Sequence, residues 1–207
     1  MQVKLAVRCY MANHQLSFNK NDEWYTRAYA VEPIVKYIKS GSIVWCPFDK
    51  EHSEFVKVFK SHGFTVVSSH IETGKDFFQY EPEKYDVIVS NPPYSLREKV
   101  LERLFALGKP FAMLINITGL FDSKKRYNLL STHNFEFLIF DRRIDFFRFD
   151  GDKTSPPYLS AYFCSGVLPS AHVFERLAHL TPREPDSLKA GDSCLPDVVK
   201  SESNLPA

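Results

Sequence analysis

Apolar, strand-like runs alternate with amphipathic helical stretches from residue 32 to about residue 166, and this alternation constrains the fold more than any other feature. It is typical of α/β proteins, in which each helix returns the chain to the start of the next parallel strand. Two late runs, at residues 135–147 and 158–164, are predicted to form an antiparallel pair. We therefore expect a mostly parallel central sheet with an antiparallel C-terminal hairpin and helices on both faces.

The chain has 207 residues, which suits a single domain because one hydrophobic core serves roughly 100 to 200 residues. We predict one domain over residues 1–180, with its first helix starting near Glu32-Pro33 and its last helix at residues 171–179. Residues 181–207 hold four prolines and many serines, aspartates and lysines. Because this composition cannot bury a core, we expect that segment to be a disordered tail.

Charge, hydropathy and cysteine usage exclude several classes of protein. Lys and Arg number 26 against 25 Asp and Glu, and a net charge of +1 excludes a uniformly basic nucleic-acid coat, though not a local basic face. No run of 18 apolar residues and no signal-peptide pattern occurs, so we expect a cytoplasmic protein with no membrane partner. The four cysteines lie far apart and the histidines lack metal-ligand spacing, so neither disulfides nor a metal site is predicted.

Three segments that follow predicted strands form the candidate ligand site, because open α/β sheets bind ligands outside the carboxyl ends of their strands. Pro47-Phe48-Asp49 follows the first strand, and residues 70–78 follow the second. The clearest strand, residues 85–90, is stopped by Asn91-Pro92-Pro93-Tyr94, since proline cannot donate a hydrogen bond to a sheet ladder. We expect these segments to meet at one edge of the sheet.

The tetrapeptide Asn91-Pro92-Pro93-Tyr94 resembles the signature of the amino-group methyltransferases that use S-adenosylmethionine, in which Asp, Asn or Ser precedes Pro-Pro and an aromatic residue at a strand end. Other segments are similar to the small phage and prophage N6-adenine methyltransferases. These segments are Trp24-Tyr25-Thr26 with the helix at Glu32, Arg142-Arg143-Ile144-Asp145-Phe146, and Ser155-Pro156-Pro157-Tyr158. The resemblance covers residues 22–166 and implies a class I methyltransferase domain with a Rossmann-like fold.

The residue types of the tetrapeptide suit an adenine amine as the methyl acceptor. The N6 lone pair is delocalised into the ring, so a catalyst must localise it and aim it at the methyl carbon. The side-chain oxygen of Asn91 and the carbonyl of Pro92 can each accept one N6 hydrogen, because the prolines fix the backbone. Tyr94 can stack on a base that has left its helix. The structural alternative is a stiff turn that ends a strand.

The resemblance also implies a set of residues that bind S-adenosylmethionine. They are Tyr25, Thr26, Pro47, Phe48, Asp49, His70, Asp76, Phe77 and Phe78. Asp49 is expected near the methionine amino group, and Asp76 is expected to accept a hydrogen bond from the cofactor adenine, with Phe77 or Phe78 against its ring. For both aspartates, the alternative role is capping of the next turn.

Two segments depart from the family pattern. Most of these enzymes have a glycine-rich turn after Asp-Pro-Phe, whereas residues 46–53 contain no glycine. The acidic residue expected after the second strand, which holds ribose hydroxyls, is replaced by Ser69-His70-Ile71-Glu72. Either His70 or Glu72 is a candidate substitute, and a loop-anchoring role is the alternative for His70.

The features together predict an S-adenosylmethionine-dependent N6-adenine methyltransferase that acts on DNA, in a bacterium or its phage, with the target base flipped out. RNA adenine is the nearest alternative because the tetrapeptide recognises an amine and not a sugar, and a glutamine amide of a protein is a third. A catalytically silent nucleic-acid-binding module is the alternative from another class, which the missing glycines favour. Six basic residues have two equally good interpretations, as contacts to nucleic-acid phosphates or as part of a solvated surface. They are Lys124, Lys125, Arg126, Arg142, Arg143 and Arg148.

Overall fold

The protein is described by a computed structural model over residues 25–147 and 159–178. The strands in these ranges are β1 (Tyr25–Thr26), β2 (Ile43–Cys46), β3 (Thr65–Ser68), β4 (Val87–Ser90), β5 (Phe111–Asn116), β6 (Glu136–Phe140), β7 (Phe146–Phe147), β8 (Ser160–Ser165) and β9 (His172–Glu175). The α-helices are α1 (Ala28–Val35), α2 (Glu54–Ser61), α3 (Arg97–Leu107) and α4 (Lys124–Leu130). Short 3-10 helices cover Ile71–Thr73 and Tyr94–Leu96.

Seven of these strands form one sheet in the order β3-β2-β4-β5-β8-β6-β9. The pairs β2 with β3, β2 with β4, and β4 with β5 are parallel. β8 lies antiparallel between β5 and β6, and β9 runs parallel to β6 at the edge. The predicted fold class is therefore confirmed: the protein is a Rossmann-like α/β fold with a mostly parallel sheet and an antiparallel pair near its C-terminal end.

Helices cover both faces of the sheet because successive side chains of a strand point to opposite sides. Val44 of β2 packs in a core that contains Ile34 of α1 and Phe59 of α2. Its neighbour Trp45 packs in a second core, which contains Leu101 of α3. One face of the sheet is thus covered by α1 and α2, and the other by α3.

The strand order changes direction at β2. The chain passes from β2 to β3 on one side and then to β4 on the other side of β2. A crevice opens between connections that leave a sheet in opposite directions, and such a switch point is where open α/β sheets bind ligands. The segments after β2 and β4, which begin at Pro47 and Asn91, both lie at this point.

The predicted helix at residues 171–179 is wrong, because His172–Glu175 forms the edge strand β9. Its exposure alternates along the chain: His172 and Phe174 are exposed, whereas Val173 and Glu175 are half-buried. This period of two is that of a strand and not of a helix. The backbone of β6 supplies the parallel partner.

The first helix starts earlier than predicted. α1 begins at Ala28, so Pro33 lies inside the helix and not in its first turn. Ala30 and Val31, which precede the proline, are fully buried. Burial of these apolar residues outweighs the one helical hydrogen bond that a proline cannot donate.

The predicted run at residues 135–147 forms two strands. β6 ends at Phe140, and the backbone N–H of Asp141 donates to the carbonyl of Glu175, the last contact of this segment with β9. β7 pairs antiparallel with β1 in a separate two-stranded ribbon. The single predicted run therefore serves two different sheets, and the charged residues Asp141, Arg142 and Arg143 lie between the two strands.

Some predictions fall outside the residues that the structure describes. They concern Trp24, the Ser155-Pro156-Pro157-Tyr158 segment, and the tail at residues 181–207. Within the described ranges, no helix is long and apolar enough to cross a membrane.

Candidate active site

One cleft lies at the carboxyl ends of β2, β3 and β4, with about 1070 Å³ of empty space including the solvent at its mouth. All twelve residues that the sequence predicts for the base and cofactor sites line it. They are Tyr25, Thr26, Pro47, Phe48, Asp49, His70, Asp76, Phe77, Phe78, Asn91, Pro92 and Tyr94. Sequence reasoning missed other lining residues, among them Lys50, His52, Ser53 and Glu54. These residues follow β2, the first strand that the sequence predicts, and this position is the signal by which they could have been identified.

Asn91 follows the buried strand β4, which delivers it to the cleft. Its amide nitrogen Nδ2 donates a hydrogen bond to Oγ1 of Thr26 at 3.2 Å. The other end of the amide, Oδ1, is buried and has no hydrogen-bond partner among the described residues. The side chain therefore holds one acceptor that nothing in the described part of the chain satisfies.

Tyr94 starts the 3-10 helix that leads into α3. Its ring meets Phe146 of β7 edge-on, with the ring centroids 6.5 Å apart and the planes at 87°. The residue is half-buried and lines the cleft. One aromatic ring is thus fixed in the cleft that Asn91 also lines.

Asp49 is a buried carboxyl group. Ser90, the last residue of β4, donates its hydroxyl to Oδ2 of Asp49 at 2.5 Å. Burial raises the pKa of Asp49 to about 6, although hydrogen bonds from Ser90 and Ser53 oppose that rise. Among the described residues no Lys, Arg or His forms an ion pair with it. A cationic ligand in the cleft would therefore stabilise the ionised form of Asp49.

Asp76 caps the turn that follows it, as the alternative role requires. Its Oδ1 accepts the backbone N–H of Phe78 at 3.0 Å. Its Oδ2 is 3.4 Å from the side-chain nitrogen of Gln79, a long hydrogen bond. The capping role therefore occupies one oxygen and leaves the second with acceptor capacity in the cleft.

Phe77 and Phe78, which the sequence could not distinguish, have different surroundings. Phe77 is 2% exposed and packs against Trp45 and Phe48, with centroid distances of 5.5 and 4.8 Å. Phe78 is half-buried. Phe77 therefore forms the floor of the cleft, and Phe78 retains ring surface for a ligand.

His70 and Glu72, the two candidate substitutes for the acidic residue, also differ. Glu72 is exposed and forms an ion pair with Lys50 at 2.6 Å, and it does not line the cleft. His70 lines the cleft, and its Nδ1 accepts the backbone N–H of Glu72 at 3.2 Å. Burial lowers the pKa of His70, and the nearby Lys50 acts in the same direction. A neutral imidazole that accepts at Nδ1 carries its proton on Nε2, so His70 has one donor for a ligand.

The segment without glycine builds its turn from ordinary backbone conformations. No residue other than glycine has a positive φ in the described ranges. The backbone N–H of Asp49 donates to the carbonyl of Ser69 at 3.2 Å, which extends the pairing of β2 with β3 past the strand ends. Ser53 then caps α2 by accepting the N–H of Val56 at 3.3 Å. The turn after β2 is therefore stable without a glycine.

Most of the basic residues that the structure describes have structural partners. Lys125 pairs with Glu98 and Glu102 of α3, at 3.3 and 2.7 Å. Arg126 donates to the carbonyls of Gly119 and Leu120. The alternatives for these residues are contact with phosphates and a solvated surface. Partners within the protein favour a structural surface role for Lys125 and Arg126 over phosphate contact.

No family model and no curated protein matches the chain. Among solved structures, the chain is similar to one described as a modification subunit of a type I restriction enzyme from Vibrio vulnificus YJ016. The TM-score is 0.48 and the sequence identity is 10%, and the match covers 86% of this chain and 51% of that one. It is also similar to a dimethyladenosine transferase from Plasmodium falciparum, with TM-score 0.44, 13% identity, and coverage of 69% and 62%. The chain spans about half the length of the first and about three fifths of the second.

Proposed function

We propose that this protein is an S-adenosylmethionine-dependent methyltransferase that modifies the N6 amine of adenine in DNA. The observation that carries the proposal is Oδ1 of Asn91, a buried acceptor with no partner among the described residues, beside the cleft at the switch point of the sheet. An unpaired buried acceptor is unfavourable by about 1 to 3 kcal/mol, so it calls for a donor from a ligand. An exocyclic amine is such a donor.

The groups around the cleft fit the cofactor. Asp49 offers a buried carboxylate without a cation among its described neighbours, which suits the methionine ammonium group. His70 offers its Nε2 proton for a ribose oxygen, and Asp76 offers Oδ2 for an adenine amine. When bound, S-adenosylmethionine supplies an electrophilic methyl group on a positively charged sulfur.

The chain's own residues position the acceptor. Asn91 and the carbonyl of Pro92 accept the two N6 hydrogens, which localises the nitrogen lone pair. Tyr94 stacks on the base and fixes its plane. No residue has to remove a proton before the methyl moves, because the amine becomes strongly acidic only after it has been methylated. The role of the protein is therefore alignment and charge stabilisation.

The choice of DNA over RNA rests on the sequence resemblance of Trp24-Tyr25-Thr26, residues 142–146 and residues 155–158 to the small phage and prophage N6-adenine methyltransferases. Purified protein is to be incubated with labelled S-adenosylmethionine and paired DNA and RNA oligonucleotides of the same sequence. We expect N6-methyladenine in the DNA, detected by mass spectrometry of the nucleosides. Methylation of the RNA alone would move the assignment to RNA, and methylation of neither would count against the enzyme.

A silent nucleic-acid-binding module is the second candidate, and the absence of glycine from residues 46–53 favours it. Thermal stability with and without cofactor separates the two. A ligand at one hundred times its Kd stabilises a protein by about 2.7 kcal/mol, which is a measurable increase in Tm. An unchanged Tm at saturating cofactor would support the silent module.

A further inference from the structure

The two-stranded ribbon of β1 and β7 lies against the tetrapeptide loop. In this ribbon Thr26 stands opposite Phe146. Thr26 accepts the hydrogen bond from Nδ2 of Asn91, and Phe146 meets the ring of Tyr94 edge-on. The ribbon therefore contacts both side chains that we propose hold the acceptor base.

An asparagine amide has two chemically different ends, and only one of them can accept the hydrogens of an amine. With Nδ2 directed at Thr26, Oδ1 of Asn91 is the end without a described partner. A half-turn of the amide would exchange the two ends and set amide hydrogens against the hydrogens of the amine. The orientation of Asn91 therefore decides whether it can act on an amine.

We propose that Thr26 is a positioning residue for methyl transfer: its hydroxyl anchors the amide of Asn91, and with Nδ2 on Oγ1 of Thr26 the amide presents Oδ1 to the acceptor amine. The inference rests on the proposed function. It differs from the cofactor contact that the sequence predicts for Thr26, since the hydrogen bond in the structure goes to the base-binding residue.

Thr26 is itself held firmly, which a positioning residue requires. It is 7% exposed and paired in the ribbon. At the start of α1, the hydroxyl of Tyr29 accepts the backbone N–H of Asp145 at 2.8 Å, one residue before β7. The ribbon is thus attached to the helix that follows it, and the position of Oγ1 is set by both strands.

Base discrimination tests the role without turnover. Two duplexes are identical except that one carries adenine opposite an abasic site and the other carries purine, which lacks the N6 amine, because an unpaired base is extruded easily. With the cofactor site filled by S-adenosylhomocysteine, wild-type protein should bind the adenine duplex roughly tenfold more tightly, the worth of one to two hydrogen bonds. Thr26→Val should reduce this preference to about threefold or less, because the carbonyl of Pro92 can still accept one N6 hydrogen, and Thr26→Ser should keep it within about twofold of wild type.

Turnover and cofactor affinity complete the test. Thr26→Val should lower kcat by about tenfold or more while the cofactor Kd stays within about twofold, and Thr26→Ser should restore kcat. The matched control is Thr65→Val, at an exposed strand threonine that does not line the cleft. It should change neither quantity.

The outcomes separate the inference from the proposed function. If wild-type protein shows no preference for adenine over purine, the base site fails and the role of Thr26 fails with it. If wild-type protein shows the preference and Thr26→Val keeps it, the role of Thr26 alone is overturned. A raised cofactor Kd with intact base discrimination would also overturn it, because Thr26 would then be a cofactor ligand.

Discussion

Ser90 donates its hydroxyl to Oδ2 of Asp49 at 2.5 Å, which links the end of β4 to the segment after β2. Both residues are buried, and Asn91 follows Ser90 directly. The hydrogen bond therefore connects the carboxylate proposed to hold the cofactor with the strand end that delivers Asn91, the residue proposed to bind the base. The pKa of Asp49, raised to about 6, makes this link sensitive to pH.

Cofactor affinity should fall in mild acid. If Asp49 holds the methionine ammonium group, only its ionised form binds well. With a pKa of about 6 in the free protein, the Kd measured by calorimetry should be about tenfold weaker at pH 5 than above pH 7. Asp49→Asn should bind weakly at both values and lose this pH dependence. His70 titrates in the same cleft, so an unchanged profile in Asp49→Asn would assign the effect to another group.

The same carboxyl should lower the stability of the protein without cofactor at neutral pH. Its pKa in the folded state, about 6, exceeds the ordinary value of 3.8, so folding is disfavoured as Asp49 ionises and the loss is complete above pH 6. Asp49→Asn should therefore raise the free energy of unfolding at pH 7 by up to about 3 kcal/mol. Denaturant unfolding would show the difference disappearing below about pH 4. A variant less stable than wild type at pH 7 contradicts the account.

Tyr94 should act through its ring and not its hydroxyl. Tyr94→Phe keeps the aromatic face and should retain most turnover. Tyr94→Ala should lose roughly 1 to 3 kcal/mol of affinity for an extruded adenine, the usual worth of one stacking partner. A packing role would instead appear as a large fall in Tm for Tyr94→Ala with base affinity unchanged, and an inactive but folded Tyr94→Phe variant would refute stacking.

His70 and not Glu72 should contribute to cofactor binding. His70→Ala removes the Nε2 donor and should raise the cofactor Kd about two- to tenfold, the range for one neutral hydrogen bond. Glu72→Gln is the matched control, because its carboxylate pairs with Lys50 at the surface and should leave the Kd within about twofold. The assignment would be reversed if only the Glu72 variant weakened binding.

The sequence predicted most of the sheet because its strand runs are compact and bounded by glycine, proline or polar residues. The prediction failed at the edge strand β9. This strand has four residues, too few for its alternating pattern to be distinguished from a helix among the apolar residues of 171–179. The prediction also failed at Pro33, where burial of Ala30 and Val31 allowed the helix to start early. Both errors arise from tertiary context that a local pattern does not contain.

The sequence predicted which residues line the cleft, because these residues follow strand ends. It did not predict the contacts that their side chains make. The rule that ligands bind at the carboxyl ends of strands brought together Asp49, His70 and Asn91, which three different strands deliver. The hydrogen bond between Thr26 and Asn91 joins residues 65 positions apart, and no local signal identifies it. The burial of Phe77 likewise depends on its contact with Trp45.

The rate of N6-methyladenine formation with Asn91→Ala tests the central claim most directly. Because Asn91 acts on the acceptor amine and lies past the strand, the variant should fold with an unchanged Tm and bind cofactor with a Kd within about twofold of wild type. Its turnover on DNA, measured by mass spectrometry of the nucleosides, should fall about a hundredfold or more. Turnover equal to that of wild type would contradict the assignment of Asn91 as the catalytic acceptor of the N6 hydrogens.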